Sequence, residues 1–210
     1  MHLPEIAIEE ALREGECALC WLTHRHLLRR VSTLLDEHLT DPQWRQSLHD
    51  ENGFCAYHAA LVLSRADVLS VAILAEDVLA SVSLSMPSRR RPGGWRCHLC
   101  ESQRQDEAQA AKLLAQLLRQ AEWRERYAAS QGLCLPHVRQ VLLNASPEVR
   151  DWLVANEGGR WQGLRAQLRE VIRKHDYRFQ QEPWGEERGS WRRAFHKLYG
   201  IFPEEVSHER

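Results

Sequence analysis

Gly53-Phe54-Cys55-Ala56-Tyr57-His58 has a near copy 79 residues later, Gly132-Leu133-Cys134-Leu135-Pro136-His137, and this pairing decides how the chain is read. Upstream of each stands a CxxC: Cys17-Ala18-Leu19-Cys20 before the first, and Cys97-His98-Leu99-Cys100, offset by 80, before the second. All six cysteines of the 210-residue chain fall in these motifs. The flanks repeat too. Trp44-Arg45 and Trp123-Arg124 each stand eleven residues before the CxxH cysteine, and Val62-Leu63 is answered by Val141-Leu142. The chain is an internal duplication, and repeated supersecondary units bury apolar faces against one another.

Three thiols and one imidazole per copy are the inventory of a closed tetrahedral zinc site. Two thiolates three residues apart at a helix start can reach one ion, and CxxH places a thiolate and an imidazole on one helical face. Helix N-termini also favour thiolate over thiol. Gly15, Gly53, Gly94 and Gly132 precede the four half-sites and permit tight turns. Closing a loop of about 34 residues costs less entropy than closing one of more than about 110. The expected ligand sets are therefore sequential: Cys17, Cys20, Cys55 and His58 for one zinc ion, Cys97, Cys100, Cys134 and His137 for the other.

Other readings of the same residues stay open. Buried structural cysteines would explain neither the spacing nor the histidines. A thiol redox pair lacks the strand-helix context of thioredoxin-like motifs. An iron-sulfur cluster uses the same thiolates, so an iron-sulfur or redox protein is the alternative to a zinc scaffold. Four protein ligands leave no open coordination position, which argues against catalysis. His24, His26 and His98 lie near the CxxC motifs and read as helix-surface residues. The run Lys174-His175-Asp176-Tyr177-Arg178 mixes acid, base and donors that could hold a substrate or move a proton, but its side chains point in several directions and suit a helix-end network.

The expected fold is all-α. Apolar residues at Leu19, Leu22, Leu27, Leu28, Val31, Leu34 and Leu35 form a stripe of period 3.6. Asp41-Pro42, Asp67 and Ser146-Pro147 read as helix starts, and no alternating β-branched run suggests a strand. The spacing predicts a first repeat over 1–84, a turn-rich connector over 85–95 carrying Arg89-Arg90-Arg91, a second repeat over 96–157 and a helical extension over 158–210. That extension is expected to begin with a break at Gly158-Gly159 and to end on a glycine stop at Gly200.

Net charge is −1, which weighs against a nucleic-acid partner bound through bulk charge. Residues 1–84 are net −7 and the remainder net +6. The start lacks a basic segment followed by an apolar run, and Glu76 and Asp77 interrupt the most apolar stretch, so the expected location is cytoplasmic, with no membrane partner. The partner is expected to be a protein or a small molecule. With the late His175-Asp176-Tyr177-Arg178-Phe179, the duplicated motifs resemble an uncharacterised family of bacterial proteins of unknown function. That resemblance covers nearly the whole chain and implies no activity.

Overall fold

A computed structural model describes residues 3–50, 53–81 and 97–200. The connector over 85–95, with its arginines and Gly94, lies outside the described residues. Among those described, all regular structure is helical. The first copy runs α1 (Leu3–Glu14), α2 (Ala18–Thr33, prolonged by a π-helical turn Leu34–His38), α3 (Pro42–Asp50), α4 (Ala56–Arg65) and α5 (Val68–Ser81). The second runs α6 (His98–Leu117), α7 (Ala121–Ala129), α8 (Leu135–Asn144) and α9 (Pro147–Lys174), followed by α10 (Ser190–Tyr199). The order α2–α5 is repeated as α6–α9, with α1 before the first set and α10 after the second.

Local chemistry sets the boundaries. The Asp41 carboxylate accepts from the N–H groups of Gln43 at 2.9 Å and Trp44 at 3.4 Å, which starts α3 on Pro42. Asp67 accepts from the Ser70 N–H at 2.8 Å and so starts α5. Such caps contribute about 1 kcal/mol each. Gly53 and Gly132, at φ 82° and 75°, turn the chain before the two CxxH motifs in the left-handed region that favours glycine. At Gly200, φ 68° ends α10 as expected.

The chain packs as two compact units, Met1–His24 with Glu107–Arg210, and Arg25–Asp106. These lines differ from the repeat boundaries, because the unit limits fall inside α2 and α6. In the second unit Leu27, Val31 and Leu34 of α2 pack with Leu48, Val62 and Leu74, and with Cys97 and Leu99 from the start of α6. In the first unit the buried set includes Ile8 and Leu12 of α1, Leu19 at the start of α2, Leu114 of α6, Tyr127 of α7, Val141 of α8 and Leu153 of α9. Each buried Leu, Ile or Val side chain stabilises its unit by about 1.5–3 kcal/mol.

The expected break at Gly158-Gly159 is corrected: α9 runs unbroken through both glycines. Two helical glycines cost about 1 kcal/mol each relative to alanine, and the residues around them are anchored strongly enough to offset that. Glu157 accepts from the Tyr127 hydroxyl at 2.6 Å, the Trp161 indole at 3.0 Å and the Leu133 N–H at 3.2 Å. Arg160 donates to the carbonyls of Tyr127, Ala128 and Ser130 at the C-terminal end of α7.

Candidate metal centres

The four half-sites share one local geometry. Cys17, Cys55, Cys97 and Cys134 each stand immediately before a helix, and each carbonyl accepts the N–H four residues on, from Trp21, Ala59, Glu101 and Val138, at 2.7–3.1 Å. The second ligand of each motif therefore lies one turn along, beside the first. In α4 the Cys55 sulfur also accepts the His58 N–H at 3.3 Å.

The eight side chains converge in two groups that can each hold a metal ion, with donor atoms within 4.8 Å of one another. The pairing, however, is crossed. Cys17 and Cys20 meet Cys134 and His137, while Cys55 and His58 meet Cys97 and Cys100. The sequential sets expected from loop closure are corrected. Lengthening a loop from about 34 to about 114 residues is less than two doublings and costs only ~1 kcal/mol. Helix packing outweighs that. The part of α2 buried against its own copy runs from Leu27 to Leu34, beginning about 10 Å beyond Cys20 on a rigid helix. The thiols at its start are thereby committed elsewhere, and Cys97 fills the position in that core instead.

In the first group, Cys134 Sγ lies 3.7 Å from Cys17 Sγ and 3.6 Å from Cys20 Sγ, and His137 Nδ1 is 3.1–3.4 Å from all three sulfurs. In the second, Cys55 and Cys100 sulfurs are 3.6 Å apart, and His58 Nδ1 is 3.2–3.4 Å from its three thiols. A tetrahedral ion with bonds of about 2.3 Å to sulfur and about 2.0 Å to nitrogen has edges of about 3.8 and 3.5 Å. The separations given above match these edges after a shift of a few tenths of an ångström, and every remaining donor pair lies within 4.8 Å.

Packed this closely, the thiols cannot all behave alike. Burial opposes ionisation of Cys17, yet hydrogen bonds from Cys134 and Cys20 and the His137 ring draw its pKa well down. Cys134 and Cys17 push Cys20 far up. His137 is raised to about 10: burial works against its charged form, but hydrogen bonds to Cys134 and Cys17 prevail. In the second group burial opposes ionisation of Cys97, but contact with His58 brings it to about 6. Burial and Cys55 raise Cys100 to about 12. A divalent cation relieves this conflict by letting every thiol ionise.

Beyond the ligands the two surroundings differ. Around the first group Lys197 of α10 donates to the carbonyls of Glu16 and Leu133 at 3.2 Å and to that of Gln131, so it ties together both half-site loops. Gly200 closes over the sulfurs: a Cβ there would stand 3.1 Å from Cys134 Sγ and 3.4 Å from Cys20 Sγ. Glu157 holds the Leu133 N–H beside Cys134. Around the second group His58 Nε2 lies 3.2 Å from Gln103 Oε1, a carbonyl that orients the ring so that Nδ1 faces the thiols. Sequence reasoning missed Lys197, Gly200, Glu157 and Gln103. Glu157 had one legible mark: it stands where the first copy has Val78.

The remaining candidates stay apart from both groups. His98 is exposed, and His26 lies 3.8 Å from Asp106. Lys174 donates to Glu187 and to the Pro183 carbonyl, both at 2.6 Å, and Arg178 pairs with Asp176 at 2.7 Å, as a helix-end network requires. No helix among the described residues is long and apolar enough to cross a membrane. A family model described as "Family of unknown function (DUF6062)" matches the chain twice, over residues 1–93 and 93–205. No curated protein and no solved structure matches it.

Proposed function

The chain belongs to this family of unknown function across both of its halves, and from that premise we propose that it is a helical scaffold or interaction protein braced by two structural zinc ions. The observation that carries the reading is the closeness of the donors, with each imidazole 3.1–3.4 Å from all three of its sulfurs and every donor pair within 4.8 Å. They suit one ion per group. An iron-sulfur cluster spreads its cysteines over different iron atoms and needs its sulfurs further apart. Three thiolates and an imidazole satisfy a tetrahedral ion fully, so the metal braces helices and offers no position to substrate. With a net charge of −1, the partner is a protein rather than nucleic acid.

Elemental analysis and absorption spectra of protein purified without oxygen test this. Two zinc ions per chain and no visible absorption are expected. Iron with a brown colour would overturn the reading in favour of an iron-sulfur or redox protein.

A further inference from the structure

The repeat offers an internal standard for what covers each helix pair. In the second copy α10 packs against both α8 and α9, with Lys197 on the carbonyls of the loop that precedes α8. Leu133 and Val138 are buried there, and Leu142 is half-buried. The first copy has the same loop and helix pair. A Cβ added at Gly53 would meet Val78, just as one at Gly132 would meet Glu157, so α5 lies on its loop as α9 lies on the other. With the repeat offset of 79 residues, the positions that would answer α10 fall at 111–120, largely inside α6 of the second copy, so among the described residues α10 has no counterpart on α4 and α5.

Between α4 and α5 lies an apolar groove of about 260 Å³, lined by Phe54, Ala59, Leu63, Val71 and Ala75 among others. Leu63, the counterpart of Leu142, is 63% exposed. Charge selects the occupant. Asp77 is paired with Arg45 of α3, which leaves Asp67 and Glu76 against Arg65 over residues 53–81, whereas α10 carries Arg192, Arg193 and Lys197 and no acid. Helices lying in apolar grooves are a recurring recognition mode, read through anchors on one helical face.

We propose that the α4–α5 groove is a docking surface for an amphipathic, basic helix of a partner protein, seated as α10 sits on α8 and α9. A lysine near the end of that helix approaches the loop before α4, as Lys197 approaches Gln131 and Leu133. The proposal deepens the interaction-scaffold reading and rests on it, though not on which metal the centres hold.

A fluorescent peptide with the sequence of residues 186–200 serves as the probe, titrated into the full-length, metal-loaded protein and followed by anisotropy. Saturable binding is expected, weakened at least tenfold by Leu63→Glu or Ala75→Glu in the protein and by Lys197→Glu in the peptide. Leu63 and Ala75 are exposed, so both protein variants should keep their helix content and two metals per chain, which separates failed docking from a failed metal reading. The proposal is overturned by absent binding, by binding indifferent to both protein substitutions, or by a concentration-dependent dimer abolished by Leu63→Glu, which would make a second copy the occupant.

Discussion

The two candidate centres use identical donors and differ in their cover. Cys17, Cys20, Cys134 and His137 are all buried, and Gly200, Lys197 and Glu157 close around them. In the other group Cys55 and Cys100 are half-exposed, with Gln103 as the polar neighbour of the imidazole. The same four ligands can thus be a sealed brace in one place and an approachable one in another. What differs is the exchange of Val78 for Glu157 within the repeat and the addition of α10 with Lys197 and Gly200, rather than the ligand motif.

The largest effect expected from breaking that comparison is loss of an ion. Cys17→Ser with His137→Ala should remove one metal per chain, whereas Cys17→Ser with Cys55→Ser should remove two. Metal content by elemental analysis reads the difference directly, and the reverse result, two ions lost from the first pair and one from the second, would refute crossed pairing. Zinc contributes about 10–16 kcal/mol of apparent binding free energy in finger peptides. Here packed helices remain without it, so each lost ion should lower the melting temperature by about 10 °C or more without abolishing helix content.

Next comes the loop before each CxxH. Glu157→Ala strips partners from the Leu133 N–H, the Tyr127 hydroxyl and the Trp161 indole, and should cost about 3 kcal/mol. Val78→Ala, at the matching position, loses only apolar contact and should cost about 1 kcal/mol. Urea unfolding of the two variants measures the gap, and equal costs would mean that the polar cover of the first centre contributes nothing. A smaller expected effect is kinetic: with a zinc chelator, the half-exposed centre should release its ion at least tenfold faster than the sealed one. Release followed in Cys55→Ser and Cys134→Ser, each retaining one centre, assigns the two phases.

The smallest effect is confined to the α9–α10 connection, which the first copy lacks. Hydrogen bonds from the Gly185 N–H and from Lys174 lower Glu187 from its ordinary 4.5 to about 2. A depressed carboxylate stabilises the fold fully above its ordinary pKa, and that contribution fades as pH falls toward 2. The stability difference between wild type and Glu187→Gln should be constant from pH 7 to about 5 and shrink below 4.5. A difference growing on acidification would contradict the sign.

Helix order, the caps at Asp41 and Asp67 and the glycine stop at Gly200 were legible because each depends on chemistry within a few residues. So was the identity of the eight converging side chains, since spacing alone marks them. Their crossed pairing was not. The two CxxC motifs are interchangeable as donors, and loop closure separates the alternatives by only ~1 kcal/mol, so the burial of Leu27, Val31 and Leu34 chooses. Gly158-Gly159 misled for the same reason: the anchors at Glu157 and Arg160 lie 24 or more residues away in sequence.

Crossed pairing nests one closure inside the other: the His58-to-Cys97 link lies wholly within the Cys20-to-Cys134 link. During synthesis every ligand of the inner centre has been made by residue 100, while the outer one waits for His137. At about 5–20 residues per second that interval lasts a few seconds. For that time Cys17 and Cys20 have no native partners, and an inner ion, once bound, shortens the span the outer closure must still cross. The folding order of the two centres is thus written into their connectivity, inner before outer.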